Sequence, residues 1–208
     1  MDNFDITPSP ITDKNKPNIL NIKPPITVSD NQNFKIKNGF DYVKDNSLLV
    51  FSISENLIDF GELSPTNPII RTNRLEVSGV FKTGYSIFAN QDNKLFYLQP
   101  NISIPNTTCD DGICSEKTTS NWSNILTYGF GYRCDNLEGK DCAADFLNPS
   151  YYKRFSDRSL LENPQSIIKG IIFNKSKKSQ ITYKVNISGT QQAGVYNNTI
   201  TYIAAPNF

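Results

Sequence analysis

The chain has 208 residues, 21 Lys plus Arg against 20 Asp plus Glu, and a formal net charge of +1. That length fits about one domain with room for an extra segment, and that balance leaves no electrostatic footprint for nucleic acid. Histidine is absent, which excludes a Ser-His-Asp triad, a Cys-His dyad and any His-ligated metal, and no apolar run approaches the ~20 residues of a membrane span.

Residues 1–45 read as a Pro/Asn-rich extended arm. "ITPSPITDKNKPNILNIKPPITVSDNQN" sets Pro8, Pro10, Pro17, Pro24 and Pro25 among polar residues. Proline fixes φ and removes a backbone donor, so the stretch reads as a linker. It lacks the apolar core of a secretion signal, so an exported chain would be in its mature form. "NILNI" and "PITVS" are short β-prone pieces. They could add an edge strand, or be donated to a neighbouring copy as a route to self-assembly.

Residues 46–208 read as one β domain. "SLLVFSIS" (47–54) puts Leu49, Phe51 and Ile53 on one face, and "RLEVSG" does the same with Leu75 and Val77. "GYSIFANQDN" groups Tyr85, Ile87 and Ala89 before turn residues, and "KLFYLQP" follows. "NILTYGFGY" (124–132) predicts a strand in which Gly129 and Gly131 mark a bulge or a close approach. "NPSYYKRF" offers Asn148 as a helix cap and Pro149 at the first helical position, enough for a turn or two. "SQITYKVNIS" alternates Ile181, Tyr183, Val185 and Ile187 with polar residues, a half-buried strand. "VYNNTITYIA" puts Tyr196, Asn198, Ile200 and Tyr202 on one face, and the pair reads as a terminal antiparallel hairpin. Strands at this spacing predict an all-β fold: an immunoglobulin-like antiparallel β-sandwich with long disulfide-clipped loops.

The four cysteines have the spacing C-x4-C at Cys109 and Cys114, and C-x7-C at Cys134 and Cys142. Structural zinc favours C-x2-C pairs, often with His, and a redox C-x-x-C is absent. Two disulfides remain. Gly with Asp or Asn lies between the members of each pair, which suits closure of a short local loop, while crossed pairings such as Cys109–Cys134 stay open. Disulfides persist in oxidising compartments, so the chain is expected to be extracellular or at a cell surface.

Catalytic signals are weak. Strings resembling β-lactamase motifs occur at Ser29–Asn31, Lys82–Gly84 and Ser166–Lys169. Their order is wrong, and Ser166 and Lys169 on a strand would point to opposite faces. Loop carboxylates could serve a glycosidase pair, or hold calcium through Asp110, Asp111, Asp135 and Asp141, yet they read more simply as solvated loop charges. No cofactor is expected. Trp122, Tyr132, Tyr151, Tyr152 and Phe155 form an aromatic-rich region. If exposed they could stack on sugar rings. Otherwise they pack a core.

"RTNRLEVSGVFKTGYSIFA" and "VNISGTQQAGVYNNTITYIAAPNF" resemble bacterial cell-surface β-sandwich domains of the WxL type. Gly84, Tyr85, Ser86 and Ile87 stand where that family has its first motif. Ala193, Gly194, Tyr196, Ile200, Thr201 and Tyr202 follow the second, with Tyr202 in place of Trp and Ala204 in place of Leu. "IPNTTCDDGICSEKTTSNWSNILTYGFGYRC" is similar to secreted proteins of candidate-phylum bacteria. The resemblance implies a cell-surface location with attachment to the wall, and the sequence as a whole reads as a non-catalytic surface, adhesion or fibre protein. Its expected partners are wall or surface polysaccharide, or other surface proteins. The alternative it leaves is a carbohydrate-binding module that uses exposed loop aromatics.

Overall fold

Alternating apolar residues decide most of the strands. The computed structural model describes residues 18–23, 49–79, 81–97, 102–172 and 176–207. The rest of the predicted arm, with the Ser29–Asn31 string, lies outside them. Thirteen strands occur among the described residues: β1 (Asn18–Lys23), β2 (Val50–Ile53), β3 (Leu57–Gly61), β4 (Ile69–Ser78), β5 (Phe81–Gln91), β6 (Leu95–Phe96), β7 (Ser103–Ile104), β8 (Ser120–Asn121), β9 (Gly129–Glu138), β10 (Tyr151–Tyr152), β11 (Gln165–Ile172), β12 (Lys177–Asn186) and β13 (Asn198–Pro206). Among the described residues only two short 3₁₀ turns, Ala144–Phe146 and Arg158–Leu160, interrupt the all-β pattern.

Two sheets carry the fold. One has the order β11-β5-β13-β1-β3, the other β2-β4-β12-β9. Pairing is antiparallel except between β1 and β13, which run parallel. The inner faces share one core. The first sheet supplies Ile58, Phe60, Tyr85, Ile87, Ile200 and Tyr202, and the second Leu75, Val77, Phe130, Tyr132, Ile181 and Tyr183. Phe60 meets Phe130 edge-on at 6.2 Å between centroids. The hydroxyls of Tyr183 and Tyr202 hydrogen-bond across the sheets at 2.7 Å.

Several expectations are corrected. β12 and β13 do not pair as a hairpin: they lie in opposite sheets and meet only through side chains. Each needs a buried apolar face, and facing one another across the core satisfies both. Residues 148–155 form a turn and β10, with no helix. Asn148 caps locally instead, its Oδ1 accepting from the Ser150 amide. Residues 124–128 are turn and loop, and the strand predicted there starts at Gly129 and runs on to Glu138. The "NILNI" piece is an internal strand, with β3 outside it. β3 itself had too little alternation to stand out, only Ile58 and Phe60.

Candidate functional site: a disulfide-clipped loop layer

β12 has a second buried face. Thr182, Lys184 and Asn186 point away from the core, yet they are 7%, 6% and 1% exposed. The expected half-buried strand is therefore buried on both sides, because loops from residues 105–128 and 142–157 bridge to the free edge of β9 and fold over the outer face of β12. Two glycines of "YGFGY" allow this close approach. A Cβ on Gly131 would sit 2.6 Å from Thr107 Cγ2 and 2.8 Å from the Lys153 carbonyl oxygen. One on Gly129 would sit 2.7 Å from the Thr107 backbone, at φ +145°. With both glycines in place, the Thr107 amide donates to the Phe130 carbonyl and Lys153 exchanges two backbone bonds with Tyr132.

Both disulfides close within local loops: Cys109–Cys114 clips this layer, and Cys134–Cys142, packed in the main core, ties the start of the second loop to β9. The first packs with Trp122 and Tyr152 in a small buried cluster. Trp122 meets Tyr152 edge-on at 5.5 Å, and its indole N–H donates to the Thr127 carbonyl. Lys184 enters from below. Its Nζ lies 4.5 Å from the Trp122 ring centre and 5.3 Å from that of Tyr152, and donates to the Trp122 carbonyl at 2.6 Å. Burial pushes its pKa down, and the charge of Asp110 only partly opposes that. Asn186 Nδ2 donates to the Ile125 and Thr127 carbonyls.

Two more cations are buried in the layer. Arg133 makes a forked pair with Asp135 and donates to the Asn148 carbonyl at 2.7 Å. Lys153 pairs with Asp145 at 3.0 Å and lies 4.9 Å from the Phe146 ring centre. At the rim, Arg154 bridges Glu162 and Glu116. Hydrogen bonding to Arg154 holds Glu162 low against the opposing effect of burial.

The carboxylates proposed for calcium are not brought together. Asp110 accepts from the Ser123 and Asn124 amides, the Ser123 hydroxyl and Asn121 Nδ2. Burial raises its pKa, and these donors outweigh that, so it sits below the usual range. Asp111 accepts from Ser120 and Ile113, Asp135 from Arg133, and Asp141 from the Tyr85 hydroxyl at 2.8 Å. Among the described residues no three His, Cys, Asp or Glu side chains gather around a shared metal position.

The aromatic candidates are also redistributed. Trp122, Tyr132 and Phe155 are each 1% exposed and Tyr152 is 6%, so these four do not present a stacking surface. Tyr132 and Phe155 stack at 4.0 Å inside the core. Tyr151 is half-buried. What the layer does expose is a set of apolar side chains. Ile113 stands at the tip of the Cys109–Cys114 ring, and Ile125, Leu126 and Tyr128 on the neighbouring turn, at 64%, 47%, 66% and 36% exposure. The Asp110 carboxylate joins that ring to that turn. The signal in the sequence was three apolar residues inside the turn-forming "SNILTY". The buried cations gave none, since Arg133, Lys153 and Lys184 occupy polar positions of ordinary alternation.

The two family-like segments lie side by side: β5 pairs with β13, Tyr85 opposite Pro206 and Ile87 opposite Ala204. No family model, curated protein or solved structure matches the chain. Among the described residues no helix is long and apolar enough to cross a membrane.

Proposed function

We propose that the chain is a non-catalytic extracellular protein with a structural or adhesive role at a bacterial cell surface, and that it holds its target through the clipped loop layer. The observation that carries this is the exposed apolar set of Ile113, Ile125, Leu126 and Tyr128 on a base fixed by a disulfide and the Asp110 bonds. Exposed apolar side chains on a stiff platform lose little freedom when they are covered, so their burial goes largely into affinity. The two disulfides support an oxidising setting, and the WxL-like segments support a surface one. The partner expected is a surface protein or wall polymer with an apolar patch.

Fluorescently labelled protein, incubated with intact bacterial cells and with purified sacculi, tests this reading. Retention is expected, and the double variant Ile113→Asp, Leu126→Asp should lose it about tenfold with near-ultraviolet dichroism unchanged. Equal retention of the two proteins, or none by the parent, removes the reading.

A further inference from the structure

β1 occupies an unusual place. It is an internal strand, with β13 on one side and β3 on the other. Leu20 to Lys23 pair in parallel with Asn198 to Thr201, and Asn18 to Asn21 pair antiparallel with Gly61 to Leu57. Among the described residues β3 ladders with β1 alone, and it carries Ile58 and Phe60 into the core at 2% and 1% exposure. Take β1 out, and β13 and β3 each show an open edge of unpaired amides and carbonyls. An open edge is a template for another strand.

The connection from β1 to β2, residues 24–49, is long for its task. Extended, it would span roughly 85 Å at ~3.3 Å per residue. Packed sheets are only about 10 Å apart. We propose that β1 is an exchangeable strand: Asn18–Lys23 of one copy fills the slot between β13 and β3 of a second copy. This rests on the surface role proposed above, for the following reason. The same ladder bonds form in either slot, so the choice turns on concentration. For a tether of about 26 residues the effective concentration of the chain's own strand lies in the mM range. Copies in dilute solution keep their own strand, while copies crowded on a surface at similar density exchange it. The occupant is a second copy of this chain, linked by strand exchange as in domain swapping.

Cysteine trapping in the full-length chain tests the proposal. All four native cysteines are in disulfides, so introduced thiols stand alone. Asn21 and Leu57 are antiparallel partners, within reach of a disulfide. One copy carries Asn21→Cys and another Leu57→Cys. They are mixed, concentrated to mM and oxidised. A heterodimer is expected on non-reducing gels, rising with concentration and at least fivefold above a control pair of Asn21→Cys and Thr190→Cys. Yield at the control level, while a single chain carrying both Asn21→Cys and Leu57→Cys closes internally, overturns exchange. If that double variant does not close, β1 does not fill the slot and the proposal falls as well. Trapping without retention on cells would leave exchange standing and remove the surface role. Retention without trapping would do the reverse.

Discussion

β12 separates two kinds of interior. On one side Ile181, Tyr183 and Val185 pack with Phe130, Phe155 and Tyr202. On the other, Thr182, Lys184 and Asn186 are buried too, though slightly less deeply, with loop carbonyls and two aromatic rings over Lys184 and Asn186. The first side is held by apolar area, which tolerates no missing volume. The second is held by directed bonds, which tolerate no missing partner. The same strand thus depends on two different energies, and they should fail differently.

The largest effect should come from the apolar side. Phe130→Ala removes a ring that touches Phe60, Phe155 and Tyr183. It should cost about 3–5 kcal/mol in denaturant unfolding, with all spectroscopic probes moving together. Loss of the Trp122 signal well before the sandwich melts would show the two interiors uncoupled on that side too.

A smaller effect is expected from Lys184→Met, about 1–2 kcal/mol at pH 7, from the orphaned Trp122 carbonyl and the lost contact with the rings. Its pH dependence sharpens the contrast. Burial holds Lys184 below its unfolded value of about 10.4. The unfolded chain therefore binds more protons across the interval between the two, and parent stability rises with pH there. The Met variant lacks that rise, so the gap between the two proteins should widen as pH climbs toward about 10. A narrowing gap would contradict a desolvated cation.

Asp110→Asn should be smallest, about 1 kcal/mol at pH 7. The Asp110 pKa is depressed, so its contribution is present above about 3.9 and is lost as pH falls through the folded value. Parent and variant should converge in acid. Trp122 fluorescence, close to the Asp110 bonds, is the suitable probe.

Much of the inner side was legible before any coordinates. Period-two alternation picked out Leu75 and Val77, Tyr85 to Ala89, Ile181 to Val185 and Tyr196 to Tyr202, and all of these are buried. Loop chemistry favoured the local cysteine pairs, with the crossed pairings left for the structure to settle. Partnership was not, because alternation says which face is buried and not what covers it. Alternation alone therefore makes β12 and β13 a hairpin and gives the polar face of β12 to solvent. For the same reason Trp122 and Tyr152 could be read as a binding surface when they roof a buried lysine. Gly129 and Gly131 did point to a close approach, and their missing side chains are what let Thr107 and Lys153 bond to the edge of β9.

The parallel run of β1 beside β13 bears on how the molecule carries tension. A pull applied ahead of Asn18 and beyond Pro206 drags the two strands past each other along their length, since both point the same way. The rungs between Leu20 and Thr201 then bear the load together, where a hairpin pulled from its open end would release them one at a time. The geometry resists stretching along the chain far better than peeling across it.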